Sequence, residues 1–189
     1  MGARAITTNY VIAQSPRATN KREGWTRPPR GFVKLNVDAS FDQDMLRGTT
    51  GAVLRDDKGG FIWGGGIWRM NWCADALTAE ALALRYGLLL AQKTGCNCII
   101  VNSDNMEVID IMKNGGYSAG AAATVFDDCY FMACDFTLIR FEHCNREANK
   151  VADELARLAK FSKTRDWFEE PMNEIVNLLT TDVTVISNK

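Results

Sequence analysis

Three stretches of alternating apolar and polar residues follow one another before any helical period begins, and that order narrows the fold more than any other feature. In residues 32–41 (FVKLNVDASF), Val33, Leu35, Val37, Ala39 and Phe41 face one way and Lys34, Asn36, Asp38 and Ser40 the other, the period of a β-strand. Residues 48–55 (GTTGAVLR) read as a second strand, Asp56 to Gly60 as a turn, and residues 61–70 (FIWGGGIWRM) as a third. Joined by short turns, the three predict an antiparallel meander, with Gly64, Gly65 and Gly66 marking a bulge or the close approach of another backbone. The period then changes. Leu77, Ala81, Leu84, Leu88 and Ala91 recur at helical spacing across 74–93, and Gly95 stops the run. A short strand at 96–103, helices at 104–113 and 121–134, a strand at 136–142 and a strong helix at 148–160 follow, the last with Asn145 as its N-cap and Glu147 in its first turn. Strands separated by helices require crossovers, so the later pairings are parallel. The expectation is an α/β domain with a mixed five-stranded sheet, three meander strands plus two parallel ones, and helices on both faces. Residues 165–179 add a C-terminal helix, and 182–189 read as a tail.

A chain of 189 residues fits one domain with modest tails. The expected division is a basic flexible leader or linker at 1–30, the domain at 31–160 and a helical extension at 161–189. Residues 1–30 hold six Lys or Arg against the single acid Glu23, and suit a linker, a basic arm or a transit-like leader. Met1-Gly2 does not open a myristoylation motif, because position 6 is Ile. The net charge of −1 excludes binding nucleic acid through a strong overall positive field, so any such partner must be held by a local patch or a metal ion. The six cysteines (73, 96, 98, 129, 134 and 144) show no CxxC spacing and the chain has one His, which argues against zinc. They read as small buried hydrophobes of a reducing compartment, Cys96 and Cys98 sharing one face of a strand. No run approaches the ~20 apolar residues of a membrane span. The expected location is intracellular, nucleus or cytoplasm, with organelle import by the leader left open.

Four acidic residues stand out by position. Asp38 sits mid-strand, where Asp is depleted. Glu80 lies on a helix among Ala76, Ala83, Leu84 and Gly87, small or apolar neighbours that let the helix approach the sheet and turn Glu80 toward it. Asp104 follows a strand and opens a helix, at the carboxyl end where α/β sheets place ligands. Asp153 lies in the 148–160 helix beside Ala152, Leu155 and Ala156. Each has an ordinary reading alone: an edge-strand surface residue for Asp38, a solvent-reaching flank for Glu80, an N-cap paired with Glu107 for Asp104, a helix flank paired with Lys150 or Arg157 for Asp153. Together they fit one site. Clustered carboxylates repel unless cations neutralise them. Two hard divalent ions ~4 Å apart can activate a water and stabilise the leaving oxygen of a phosphodiester, Mg²⁺ by hardness, with Mn²⁺ as substitute.

KLNVDASF, TAEALALRYGLLLA, IIVNSD and NREANKVADELARLA, in this order, resemble the plant reverse-transcriptase-like, retroelement-derived branch of the ribonuclease H family over about residues 31–160. The resemblance implies endonucleolytic cleavage of the RNA strand of RNA–DNA hybrids with Mg²⁺, and carries the catalytic metal-ligand role onto Asp38, Glu80, Asp104 and Asp153. His143, ten residues before Asp153, stands where bacterial members carry a loop histidine implicated in proton transfer or product release, although the glycine-rich loop is missing. Ser40 and Asn105, beside two of the acids, are candidate substrate contacts, and serve equally as turn or capping residues. The basic, Trp-containing protrusion of some members is replaced by 113–124 (KNGGYSAGAAAT), small and nearly uncharged, so the isolated domain is expected to bind hybrid weakly and to lose it steeply with salt. Trp63, Trp68 and Trp72 read as sheet packing rather than stacking platforms.

Three functions compete at this point. A hybrid-specific ribonuclease, monomeric and away from membranes, reads groove shape and 2′-hydroxyls. A retroelement-derived binding or interaction module with little activity fits the near-neutral charge, but has no need of a repulsive cluster. A relative acting on DNA would keep the fold and change the substrate.

Overall fold

The computed structural model describes residues 24–70, 73–161 and 166–187, with side chains undescribed at 66–70, 166 and 184–187. Three antiparallel strands open it: β1 (Val33–Asp42), β2 (Arg47–Arg55) and β3 (Phe61–Met70). There follow α1 (Ala76–Lys93), β4 (Cys98–Ser103), α2 (Met106–Lys113), α3 (Ala123–Ala133), β5 (Leu138–His143), α4 (Lys150–Leu158), β6 (Asp166–Phe168) and α5 (Asn173–Ser187). The sheet order is β5-β4-β1-β2-β3-β6, with β1, β4 and β5 parallel and the other pairings antiparallel. The sheet therefore has six strands, not the expected five. The sixth is the three-residue β6, where a helix starting at 165 was expected. It pairs with β3 at Trp63–Phe168, whose rings meet edge to face at 5.1 Å. Three residues carry too little period to be read as a strand; the free edge of β3 supplies the pairing.

Where the chain bulges, Thr50 pairs with Trp68 and Ala52 with Gly65, so β3 spends an extra residue beside the glycine triplet. β1 is the centre of the sheet. Its apolar face, Leu35 and Val37, lies under α1; its polar face, Asn36 and Asp38, lies on the side covered by the start of α4. An alternation that would suit a half-solvated edge strand thus has both faces buried.

Two glycines set the approach of the helices. A Cβ on Gly87 of α1 would lie 2.6 Å from Val37 Cγ1, and one on Gly51 of β2 would fall on the Ala152 carbonyl oxygen and 2.6 Å from the Ala156 nitrogen of α4. Thr49 Oγ1 donates to the Ala156 carbonyl at 2.7 Å, fixing the register of α4 on β2. One core lies between the sheet and α1, α2 and α3. A smaller one, Val53, Val151, Leu155, Ile175 and Leu179, joins β2, α4 and α5.

Both ends of the described chain fold onto this body. Trp25 is 2% exposed, so the folded part begins before the expected boundary at 31, and α5 packs on α4. Residues 1–23 of the expected leader lie outside the described residues. The six cysteines are free, but only Cys73 and Cys129 are buried as expected; Cys96, Cys98 and Cys144 are half-buried and Cys134 is exposed, and Cys96 precedes β4 rather than lying on it. No described helix is long and apolar enough to cross a membrane.

Candidate active site

The carboxyl ends of the parallel strands decide where the acids meet. β1 and β4 pair in register at Asn36 and Asn102; two residues further along each are Asp38 and Asp104. β4 and β5 pair at Ser103 and His143, which brings the histidine to the same end. The close seat of α1 on β1 carries Glu80 there, and the seat of α4 on Gly51 brings Asp153. A depression of about 460 Å³ is lined by Asp38, Ala39, Glu80, Asp104, Asn105, His143, Cys144, Asn145, Arg146 and Asp153. Six of the seven residues singled out from sequence line it. Ser40 does not, although it shares a strand face with Asp38.

The electrostatics are those of a strained cluster. Asp38 is 6% exposed. Burial first, then the charges of Glu80, Asp104 and Asp153, push its pKa up to about 9. Burial and then Asp104 push Glu80 up to about 8, opposed by a side-chain hydrogen bond from Asn105. Glu80 Oε2 is buried without a hydrogen-bond partner. Buried acceptors in this state are rare, and such an atom suits a ligand that the polypeptide does not supply.

Of the two candidate caps of α2, Asp104 and Asn105, Asn105 is the cap, its Oδ1 accepting from the Val108 amide at 3.2 Å, with Glu107 in the first turn. The carboxylate of Asp104 is thereby released into the depression, where Arg146 reaches it at 3.6 Å and is otherwise 94% exposed. Asn145 caps only a single 3-10 turn at Arg146–Ala148, while α4 starts at Lys150. Asn149, at the cap position of α4, turns its side chain inward. Its Nδ2 donates to the Val37 carbonyl at 3.0 Å and reaches Asp104 Oδ1 at 3.3 Å and Asp38 Oδ1 at 3.5 Å. Neither Asn149 nor Arg146 was singled out from sequence. The signal was the polar run NREANK just before Asp153, which reads as an ordinary helix start.

His143 closes β5 and is exposed, its Nε2 3.2 Å from the Asp104 carbonyl oxygen, which requires the proton on that nitrogen. Burial and then Asp104 raise the Cys144 thiol to about 12, so it is no nucleophile at neutral pH. Trp63 is half-buried against Phe168 and beneath Lys93, as packing requires; the side chains of Trp68 and Trp72 lie outside the described residues.

Among the described residues no three Asp, Glu, His or Cys side chains close on a single point as a metal cage would. The donor set nonetheless fits a hard, hydrated dication. Mg²⁺ keeps several waters and takes only one or two carboxylates directly, so an open cluster of oxygens suits it better than a closed one. The raised acids and the unpartnered Glu80 oxygen are what such an ion relieves.

The chain matches the reverse transcriptase-like family over residues 36–159. It is 29% identical over 157 residues to an Arabidopsis thaliana protein that bears a ribonuclease H name; the match covers 82% of this chain and spans about a quarter of that protein's length. Among solved structures it resembles the ribonuclease H1 of the halophilic archaeon Halobacterium salinarum at TM-score 0.62 and 23% identity, covering 68% of this chain and 97% of that one. The N-terminal RNase H domain of a Mycobacterium tuberculosis protein follows at 0.59 and 23%, covering 67% and 96%. A ribonuclease H1 isolated from compost, crystallised with an RNA/DNA hybrid, matches at 0.54 and 20%, covering 65% and 92%.

Proposed function

The chain belongs to the reverse transcriptase-like family of RNase H-like domains, and from that premise we propose that it is a metal-dependent endonuclease that hydrolyses the RNA strand of RNA–DNA hybrids. One observation carries the reading: Asp38, buried at the centre of the sheet, is held against Glu80 and Asp104, and among the described residues neither Asp38 nor Glu80 has an ion-pair partner, Arg146 reaching only Asp104 from the exposed rim. A domain that only binds a partner gains nothing from that arrangement, which costs stability.

Asp38, Glu80, Asp104 and Asp153 would hold two divalent ions, Mg²⁺ with Mn²⁺ as substitute. When bound, the ions supply charge neutralisation at the scissile phosphate and a water activated for attack. The protein's residues do the rest. Asn149 opposes the mutual repulsion of Asp38 and Asp104 by donating toward both. Arg146, released from Asp104 when a cation takes its place, presents a guanidinium to a phosphate oxygen at the rim. His143, at the open edge, is placed to pass a proton between the leaving oxygen and solvent.

Cleavage of a labelled hybrid with Mg²⁺ or Mn²⁺ tests the reading. Asp38→Asn is expected to lower the rate by at least ~100-fold, since losing even an outer-shell partner of a metal ligand costs up to that much. Duplex DNA and duplex RNA in parallel assays separate a hybrid nuclease from a relative with another substrate. The second reading, a binding module with little activity, draws on the net charge of −1 and the nearly uncharged 113–124 segment. Absence of cleavage by folded, metal-saturated protein at low salt would favour it.

A further inference from the structure

Trp25 lies eleven residues before the family match begins at 36, and Asp182 well after it ends at 159, yet both connect to the carboxylates through buried side chains. Trp25 Nε1 donates to Asn36 Oδ1 at 3.0 Å. Asn36 Nδ2 donates to Asn149 Oδ1 at 3.1 Å and to the Ala148 carbonyl at 3.3 Å. Asn149 Nδ2 then faces Asp38 and Asp104. An indole N–H can only donate and the Val37 carbonyl, which takes the Asn149 amide at 3.0 Å, can only accept, so the two ends of this series dictate how both amides point. Flipping Asn149 would aim its amide oxygen at the Val37 carbonyl and the two carboxylates; flipping Asn36 would turn its amide nitrogen toward the buried indole N–H and leave that donor without an acceptor. Trp25 is itself clamped: the Arg55 guanidinium stacks on its ring at 3.7 Å and is held by Asp182 of α5 at 2.7 Å.

We propose that Trp25, Asn36 and Asn149 form a directional hydrogen-bond relay that positions Asp38 and Asp104 for metal binding, with Trp25 as a positioning residue outside the family core. Asn149 carries an amide nitrogen with two hydrogens to three acceptors, two of them repelling carboxylates, and so holds the pair at one separation. Asn36 prevents that amide from turning, and Trp25 prevents Asn36 from turning. The proposal rests on the metal-site reading above.

The test is calorimetric titration of the full chain with Mn²⁺, beside its thermal denaturation. Trp25→Phe keeps an aromatic ring beneath Arg55 and deletes the N–H together with part of the indole. Asn149→Ala deletes the last donor, and Asn149→Gln restores an amide. Leu179→Ala removes packing atoms from α5 and leaves every hydrogen-bonding group of the relay in place. Asn149→Ala is expected to weaken binding at least tenfold and Trp25→Phe several-fold, within the range seen when outer-shell partners are removed. Asn149→Gln should recover part of the loss, and Leu179→Ala should bind as wild type at a lower Tm. Wild-type affinity in Trp25→Phe, or an equal loss in Leu179→Ala, would overturn the relay while leaving the metal site standing. A wild-type chain that takes up no Mn²⁺ would overturn both.

Discussion

Asp38 and Glu80 make the stability of the metal-free protein depend on pH in a defined direction. Their folded pKa values, about 9 and about 8, lie above the ordinary 3.8 and 4.5, so the folded chain keeps protons that the unfolded chain gives up. The stabilisation is complete below the ordinary carboxylate range and is lost as pH rises through 8 to 9. Metal-free protein is therefore expected to melt at a lower temperature at pH 8.5 than at pH 6. Mg²⁺ should raise Tm more at the higher pH, where protons no longer compete with it. Asp38→Asn should flatten this dependence and raise the metal-free Tm at pH 8.5. Melting curves across that range, with and without Mg²⁺, decide the matter; a metal-free Tm that does not fall would refute the assignment.

At the scale of elements, the site depends on how closely two helices lie on the sheet. Gly51 lets the first turns of α4 rest on β2, which carries Asp153 to the carboxyl end of β1. Backbone atoms surround the position of the missing Cβ and cannot yield as a flexible side chain would. Gly51→Ala is expected to cost about 1–3 kcal/mol by overpacking. Because it lifts α4, it should also weaken hybrid cleavage more than a core truncation of equal cost, such as one at Ile109 on the buried face of α2. Urea denaturation paired with the cleavage assay compares the two. Equal activity at equal stability would show that Gly51 serves packing only.

For the whole molecule, the extension beyond 160 is part of the fold. Arg55 is 1% exposed and burial lowers its pKa to about 10; Asp182 of α5 is the carboxylate that meets it. Removing one partner of a buried pair strands the other, so Asp182→Ala should cost about 3 kcal/mol or more. Truncation before α5 should cost more still, because it also uncovers Val53, Val151 and Leu155. Chemical denaturation of both variants checks this. Stability unchanged in Asp182→Ala would mean that Arg55 reaches water by another route.

The order of elements through α4, the limits of α1 to α4 to within a few residues and the four acids were legible in the sequence, because periods of two and 3.6 and an acid in a strand interior are local signals; α5 runs Asn173–Ser187 rather than over the expected 165–179, and takes in most of the expected tail at 182–189. Asp38, Glu80, Asp104 and Asp153 were singled out by their positions and by the family resemblance, which also pointed to His143, while Asn105 was noted beside Asp104; all six line one depression. What remained hidden depends on pairing between distant parts of the chain. The three-residue β6 exists because β3 offers it an edge. Asp104 is free rather than a cap because Asn105, one residue on, takes the Val108 amide. Asn149 is a partner of two carboxylates because α4 begins against β1, 112 residues away in sequence from Val37. Trp25 belongs to the domain because Asn36 accepts its N–H and Arg55 covers its ring. Periodicity records which face of an element is buried; the partner that buries it is chosen only when the sheet assembles.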